Sequence, residues 1–378
     1  MLLVASPRVG AEEKAALAGV IDSGWLTMGE RVRAFEEAFA RMHDVEDSVA
    51  LGSCTAALHL ILHALGVGPG DEVLVPSLSF CATANCVLYV GATPVFVDIE
   101  SNDMPIMSLS EAEARCTPRT KAVILMHFAG YMPDRDAWRS FAQRKGLLLV
   151  EDAAHAVGVK GVGTYGDAAA FSFYGNKNMT TAEGGAVIAR DRTVREAIRQ
   201  ARGHGMTSGT FQRISARTPI YDVTMLGFNY RMDELRAAIG IVQLRKLPGW
   251  NEARRLLTSL YRRQIAEYCP SVGAPFAEPR ASAYHIMPVV LPEHANRQNV
   301  IDRLRAKKVQ TTIHYPPIHL LTLYRERFPD THLPKTEDFA RRELTLPLHL
   351  GMDRDSIETV TAALAQAVNV RAASEVAA

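Results

Sequence analysis

Three short segments carry residue types able to cradle an anion, to hold a positive charge in place and to attack a carbonyl. Gly52-Ser53-Cys54-Thr55-Ala56-Ala57 follows a β-rich run, Ser48 to Leu51, and opens an apolar helical stretch. Small residues and free first-turn N–H groups at the positive end of a helix suit a phosphate, although a Ser or Thr there can equally be an ordinary N-cap. Glu151-Asp152-Ala153-Ala154-His155 closes the run Leu147 to Val150. An Asp among alanines at the end of a buried strand is costly without a cationic partner. A protonated pyridine nitrogen would be such a partner; a helix N-cap is the other reading. Tyr174-Gly175-Asn176-Lys177-Asn178 follows Ala168 to Phe173 and precedes another buried run. Partial desolvation of Lys177 in that turn lowers its pKa and makes its amine a nucleophile toward an aldehyde, whereas an isolated loop lysine is ordinarily a solvated charge. His127 follows the run Ala122 to Met126, and His314-Tyr315-Pro316-Pro317-Ile318-His319 forms a tight turn. Their spacing does not make a metal site, and none is assigned.

These segments need a frame that brings them together. From about Val45 to Arg190 short β-rich runs alternate with longer helical patterns, as in a parallel sheet covered on both faces by helices. The expected strands are Ser48–Leu51, Glu72–Val75, Pro94–Val97, Ala122–Met126, Leu147–Val150, Ala168–Phe173 and Gly185–Ala189. Thr55 to Leu65 is apolar almost all round and reads as a buried helix. Asp134 to Lys145 carries Ala137, Trp138, Phe141 and Ala142 on one face and ends at Gly146. Ligands of open α/β sheets gather at the carboxyl ends of the strands, where all three segments fall. Helical stretches over Met232–Leu247 and Asn251–Tyr268 flank Pro248, where we place a boundary: a large domain over 1–248 and a smaller α+β domain over 249–378. The smaller part is read from Met287–Leu291, Arg297–Lys307, Thr311–His314 and Asp353–Val368; the tail after Val370 is expected to be loose.

The chain has 378 residues, and 48% of them are apolar, enough for a large core. The formal charge of +1 supplies no global field for nucleic acid or an anionic membrane, so an anionic ligand must be held locally. Five widely spaced cysteines form no CxxC pair and fit a reduced cytoplasm. The first residues are too short a run for a signal-peptide core, and no run reaches the ~18 to 20 apolar residues that cross a bilayer.

The order and spacing of several stretches resemble the DegT/DnrJ/EryC1/StrS aminotransferases, the sugar branch of fold-type I pyridoxal-phosphate (PLP) enzymes. The resemblance runs from about Ser23 to Ala365. It includes Ser23-Gly24-Trp25-Leu26-Thr27-Met28-Gly29, Ser53-Cys54-Thr55-Ala56-Ala57-Leu58-His59, Gly91-Ala92-Thr93-Pro94-Val95-Phe96-Val97-Asp98, Glu151-Asp152-Ala153-Ala154-His155-Ala156, Lys177-Asn178 with Glu183-Gly184-Gly185, and Gly227-Phe228-Asn229-Tyr230-Arg231-Met232. It implies an aspartate-aminotransferase-like fold, with a mostly parallel seven-stranded sheet in the large domain. It also implies that Lys177 is the Schiff-base lysine and proton carrier, that Asp152 pairs with the pyridinium nitrogen, and that Phe80 stacks on the cofactor. Cys54 and Thr55, through backbone N–H groups, and Ser172 would hold the phosphate. His155 would lie near the 3-hydroxyl, where the family often has Gln. Asn229 would reach across from a second subunit, which implies a homodimer with active sites at its interface.

The implied reaction moves an amino group from L-glutamate to a nucleotide-linked keto sugar, 4-keto rather than 3-keto, with pyridoxamine phosphate as the intermediate form of the cofactor. Thr27, Gly29, Arg213, Arg217, His314 and Tyr315 are candidates for acceptor contacts, although a solvated basic loop is an equal reading of the two arginines. The runs Glu151 to Gly158 and Tyr324 to Pro329 hint at enzymes that aminate UDP-4-keto-pentose. A related dehydratase would carry His in place of Lys177. Two alternatives stay open: an aminotransferase for a keto-cyclitol or another small ketone, and a PLP-binding regulator that catalyses nothing.

Overall fold

A computed structural model describes residues 1–209, 211, 213, 220–277 and 280–369. Nine strands are described: β1 (Val49–Leu51), β2 (Glu72–Pro76), β3 (Thr93–Val97), β4 (Thr120–Met126), β5 (Leu148–Asp152), β6 (Ala168–Ser172), β7 (Gly185–Ala189), β8 (Met287–Val290) and β9 (Glu343–Leu346). The first seven form one sheet in the order β1-β7-β6-β5-β4-β2-β3. β3, β2, β4, β5 and β6 run parallel, and β7 is antiparallel to both of its neighbours. The sheet is therefore mostly parallel, as expected, and the carboxyl ends of β1, β2, β4, β5 and β6 share one edge.

The alternation of side chains along each strand assigns the two faces. Val123 and Leu125 of β4 join a cluster with Phe35, Phe39, Trp138, Phe141 and Leu247, while Ala122 and Ile124 join one with Leu58, Leu60, Ile61 and Val87. With both faces covered, the strands read as continuous apolar runs. The helix Cys54–Ala64 is buried from Ala56 to Leu62, which explains its lack of a polar face. Asp134 caps Arg135–Lys145 by accepting from the Ala137 amide, and Gly146, at φ 67°, ends it in the left-handed conformation that glycine enters without strain.

A third cluster packs around the two-stranded antiparallel sheet β8–β9 and the helix Arg354–Asn369. Thr311–His314, one of the segments from which the smaller part is read, makes the single bridge Thr312 to Thr345. The two helices expected on either side of Pro248 are one, Glu234–Tyr268, with the proline inside it. Leu244 and Leu247 of this helix belong to the sheet core, Tyr261 and Ile265 to the third cluster. The division we propose at 248 thus falls inside a helix shared by both cores instead of in a linker. The first residues also join the third cluster: Leu2 bridges Val309, its amide donates to the Lys308 carbonyl (2.8 Å), and the Leu348 amide donates to the Val4 carbonyl (3.1 Å).

Candidate active site

The edge shared by the parallel strands gathers the three segments. After β1, the Gly52 amide donates to the Tyr230 carbonyl (2.8 Å), and Ser53 Oγ accepts from the Ala56 amide (3.1 Å). The cap therefore uses Ser53, and the first-turn amides of Cys54 and Thr55 have no acceptor among the described residues. A Cβ at Gly185 would lie 2.5 Å from the Ser53 carbonyl carbon and 2.6 Å from the Cys54 nitrogen. Only glycine lets the start of β7 press against this turn. Cys54 is half-buried, and its thiol pKa is pushed up by desolvation and by Asp152.

Asp152 ends β5 and is buried. Its Oδ2 accepts from the Thr83 hydroxyl (2.7 Å) and its Oδ1 from the Ala154 amide (3.2 Å). Thr83 has one proton and gives it to Asp152, so the contact between the Ser79 and Thr83 hydroxyls (2.6 Å) has Ser79 as donor. Burial raises the Asp152 pKa, opposed by Thr83, Ala154, Lys177 and His127. No lysine or arginine forms an ion pair with it among the described residues. Neither Thr83 nor Ser79 was visible as a site residue in the sequence, because the contact to Asp152 spans 69 residues.

Lys177 stands in the turn between β6 and β7, its amide donating to the Tyr174 carbonyl (2.9 Å). Burial pushes its ammonium pKa down to about 8, against opposing effects of Cys54 and Asp152. Asn178 fixes the next position: its Nδ2 donates to Asn251 Oδ1 (2.8 Å) and the Ala283 carbonyl (2.7 Å), and its Oδ1 accepts from His285 Nδ1 (2.9 Å). His285 is a second group that sequence reasoning missed. Its ring lies 4.3 Å from that of His155, whose Nε2 meets the Tyr315 hydroxyl at 2.8 Å. Burial, then Lys177, holds both histidines well below the usual imidazole range, so both are neutral. His155 Nδ1 and His285 Nε2 are buried with no partner.

Phe80, 57% exposed, points an aromatic ring into the open with its centroid 6.3 Å from that of Tyr315. Ser172 ends β6 and is buried, its Oγ accepting a long contact from the Tyr174 amide (3.4 Å). His314 Nδ1 meets Thr345 Oγ at 2.9 Å. Asp152, Lys177, Cys54, His155, His314 and Tyr315 are thus coupled in one cluster. Thr27 and Gly29 are not part of it: they line a second cleft of about 1180 Å³, beside Arg199, Arg231 and Phe211. Gly29 caps the helix Glu30–Met42 where Glu234 accepts the amides of Gly29, Arg31 and Val32, and a Cβ there would strike the Trp25 indole. Arg213 donates to the Ser208 carbonyl and lies over the Tyr221 ring. Arg217 lies outside the described residues. Asn229 is exposed on the loop paired with Gly203. His127 is taken up structurally, its Nε2 bound to Glu151 (2.8 Å), which also accepts the Gly163 and Tyr165 amides.

A model of the DegT/DnrJ/EryC1/StrS aminotransferase family matches residues 7–365. The spore coat polysaccharide biosynthesis protein SpsC of Bacillus subtilis (strain 168) is 36% identical over 370 residues, 95% of each chain. DesI, solved in the presence of its TDP-sugar product, superposes with a TM-score of 0.86 at 33% identity, over 98% of this chain and 94% of its own. Spr1654 from Streptococcus pneumoniae, solved in PMP and PLP forms, gives 0.91 for the PMP form at 28% identity, over 97% of this chain and 99% of its own.

Proposed function

The chain belongs to the DegT/DnrJ/EryC1/StrS aminotransferase family and is a PLP-dependent aminotransferase; from that premise we propose that it transfers an amino group from L-glutamate to a nucleotide-linked keto sugar, with Lys177 as the attachment point of its cofactor. The residues fit PLP on four observations: two first-turn amides without acceptors beside a turn that a Cβ would fill, a buried carboxylate without an ion pair, an open aromatic ring, and a buried imidazole nitrogen with no partner. Bound PLP supplies an electron sink for the bonds that change at the amino-bearing carbon.

In this reading the Cys54 and Thr55 amides and the Ser172 hydroxyl hold the phosphate, Phe80 covers one face of the ring, and His155 Nδ1 is the partner for the ring's 3-oxygen. The Ser79 to Thr83 to Asp152 chain keeps the carboxylate charged in a dry site, where it holds a proton on the pyridine nitrogen. Lys177, with an ammonium pKa of about 8, presents roughly a tenth of its amine unprotonated at neutral pH. That fraction can attack an aldehyde, and a group titrating so close to working pH can both take and return a proton. The observation that carries the proposal is Asp152, a buried carboxyl with two hydrogen-bond donors and no ion pair among the described residues, at the strand edge that also bears Lys177.

The acceptor class rests on the relatives: DesI was solved with a TDP-sugar product, and SpsC is named for polysaccharide biosynthesis. A 4-keto acceptor is favoured over a 3-keto one on the sequence resemblance. We place the enzyme as a homodimer, in which Asn229 of a second copy reaches the phosphate. Exposed Ile220, Tyr221, Val223 and Leu226, on the same stretch as Asn229, support this. Five unpaired cysteines fit a reducing cytoplasm, and no described helix is long and apolar enough to cross a membrane. Borohydride reduction of the PLP-loaded protein, followed by peptide mass spectrometry, should place the label on Lys177, and Lys177→Ala should fold, take no label and lose turnover. A label elsewhere would remove Lys177 from its role. Glutamate-dependent turnover on a panel of nucleotide-linked keto sugars and cyclitol ketones then identifies the acceptor; failure of glutamate to change the bound cofactor's spectrum would remove it as the amino donor.

A further inference from the structure

Glu343 is a fully buried carboxyl at the start of β9, and no cation forms an ion pair with it among the described residues. Arg297 reaches its backbone carbonyl (3.2 Å), not its carboxyl group. Glu343 Oε2 accepts the His314 amide (2.9 Å), and Oε1 lies 2.5 Å from the Thr345 hydroxyl. That same hydroxyl lies 2.9 Å from His314 Nδ1, and the backbone of Thr345 is pinned by hydrogen bonds in both directions with Thr312. The three side chains form one chain ending in an imidazole. The other ring nitrogen, Nε2, makes no hydrogen bond among the described residues and is not among the fully buried unpartnered atoms, and the His314 ring lies 6.2 Å from that of His155.

A threonine hydroxyl has one proton to give. When Glu343 is ionised it only accepts; Thr345 donates to it and must in turn accept from His314 Nδ1–H, which leaves a lone pair at Nε2. When Glu343 carries a proton on Oε1 it donates to Thr345, whose own proton then goes to Nδ1, and the imidazole proton resides on Nε2. We propose that Glu343 and Thr345 are positioning residues that set the tautomer of His314, so that a single proton on Glu343 decides whether His314 offers the cleft a donor or an acceptor.

The titrations permit this. Burial pushes Glu343 up to about 8 and His314 down to about 4, so the imidazole stays neutral while the carboxyl titrates. Below about pH 8 His314 offers Nε2–H, and above it an acceptor. The other groups facing the chain are Arg297, the Tyr315 phenol, His155, His285 and Lys177. The two histidines stay neutral, burial pushes the phenol up, and Lys177 titrates near the same pH but stands outside the hydrogen-bond chain. A donor at Nε2 suits a carbonyl or phosphate oxygen of a substrate; this consequence, unlike the tautomer itself, rests on the function proposed above.

The test is nitrogen-15 NMR of histidine-labelled, PLP-loaded enzyme from about pH 6 to about pH 9.5, with the His314 signals assigned by their loss in His314→Gln. In wild type the proton should move from Nε2 to Nδ1 with a midpoint near pH 8. Glu343→Gln, whose carbonyl oxygen takes the His314 amide and whose amide nitrogen therefore donates toward Thr345, should hold Nε2–H throughout. Thr345→Val cuts the link without touching the carboxyl, and should leave the tautomer blind to pH. One unchanging tautomer in wild type, or a wild-type transition in Glu343→Gln, would overturn the proposal. If the keto-sugar reading also holds, KM for the acceptor should rise about threefold to tenfold above pH 8 in wild type, the loss of one hydrogen bond, and stay flat in Glu343→Gln. A tautomer shift without such a KM change would retire the substrate contact and keep the relay.

Discussion

Thr83→Val isolates how the fold keeps Asp152 charged. The substitution preserves shape and removes one donor, the hydroxyl 2.7 Å from Asp152 Oδ2, leaving the Ala154 amide at 3.2 Å. A hydrogen bond to an ionised group contributes about 1.5 to 3 kcal/mol. Since one pKa unit corresponds to about 1.4 kcal/mol, its loss should raise the Asp152 pKa by about 1 to 2 units beyond the increase that burial already causes. Only the ionised carboxylate can hold the ring proton, so activity falls as pH drops through this pKa. A higher pKa therefore moves the acid limb of the pH profile to higher pH by about 1 to 2 units and leaves the plateau rate nearly unchanged. Stopped-flow absorbance of the half-reaction with the amino donor, read across pH in both enzymes, measures the displacement. Ser79→Ala, which touches only the outer link of the chain, should move the limb less. An acid limb that stays in place in Thr83→Val, while Asp152→Asn abolishes the reaction, would show that the hydroxyl chain does not tune the carboxylate.

Two further outcomes follow from packing and burial. Gly185→Ala drives a Cβ to 2.5 Å from backbone that cannot yield, so cofactor affinity should fall at least tenfold with a drop in Tm; unchanged affinity by spectroscopic titration would mean that the turn is not the phosphate cradle. His43 is buried among Phe39 and Phe171, and burial holds its pKa down at about 4, below the unfolded 6.5. The unfolded chain then binds a proton that the folded one refuses, so stability should be lost as pH falls from about 6.5 to about 4. His43→Phe should flatten this dependence by roughly 2 to 3 kcal/mol in urea titrations at several pH values, and equal slopes would refute the assignment.

The sheet was legible because strands covered on both faces are written as uninterrupted apolar runs, and Lys177, Asp152 and the Gly52 to Ala57 turn were legible because each follows such a run. Asp152 proved to be the last residue of β5, since its backbone pairs with Met126. What stayed hidden depends on distance in sequence. Thr83, His285 and Glu343 look like any loop Thr, His or Glu until folding sets them beside partners 69, 107 and 29 residues away. β9 was missed because Glu343 and Thr345 break its apolar pattern, the same two residues that form the relay. Pro248 misled in the opposite direction: a proline normally ends a helix, but packing into two cores holds Glu234–Tyr268 together across it. Gly29 and Thr27 sit in a motif shared with the family, yet in this chain they line a different cleft, with Gly29 required by the Trp25 ring.

The pairing of Leu2 with Val309 has a consequence for the order of events at the ribosome. Leu2 packs on a cluster whose buried members, from Tyr261 to Val368, are made much later in the chain. At about 5 to 20 residues per second, Leu2 waits roughly 15 to 60 s for Val309. During that interval the amides that later meet Lys308 and Gln310 hang from a sheet already able to form without them. Completion of the smaller core is therefore a late docking step, and a change at Leu2 would burden that step before it touched the Lys177 cluster.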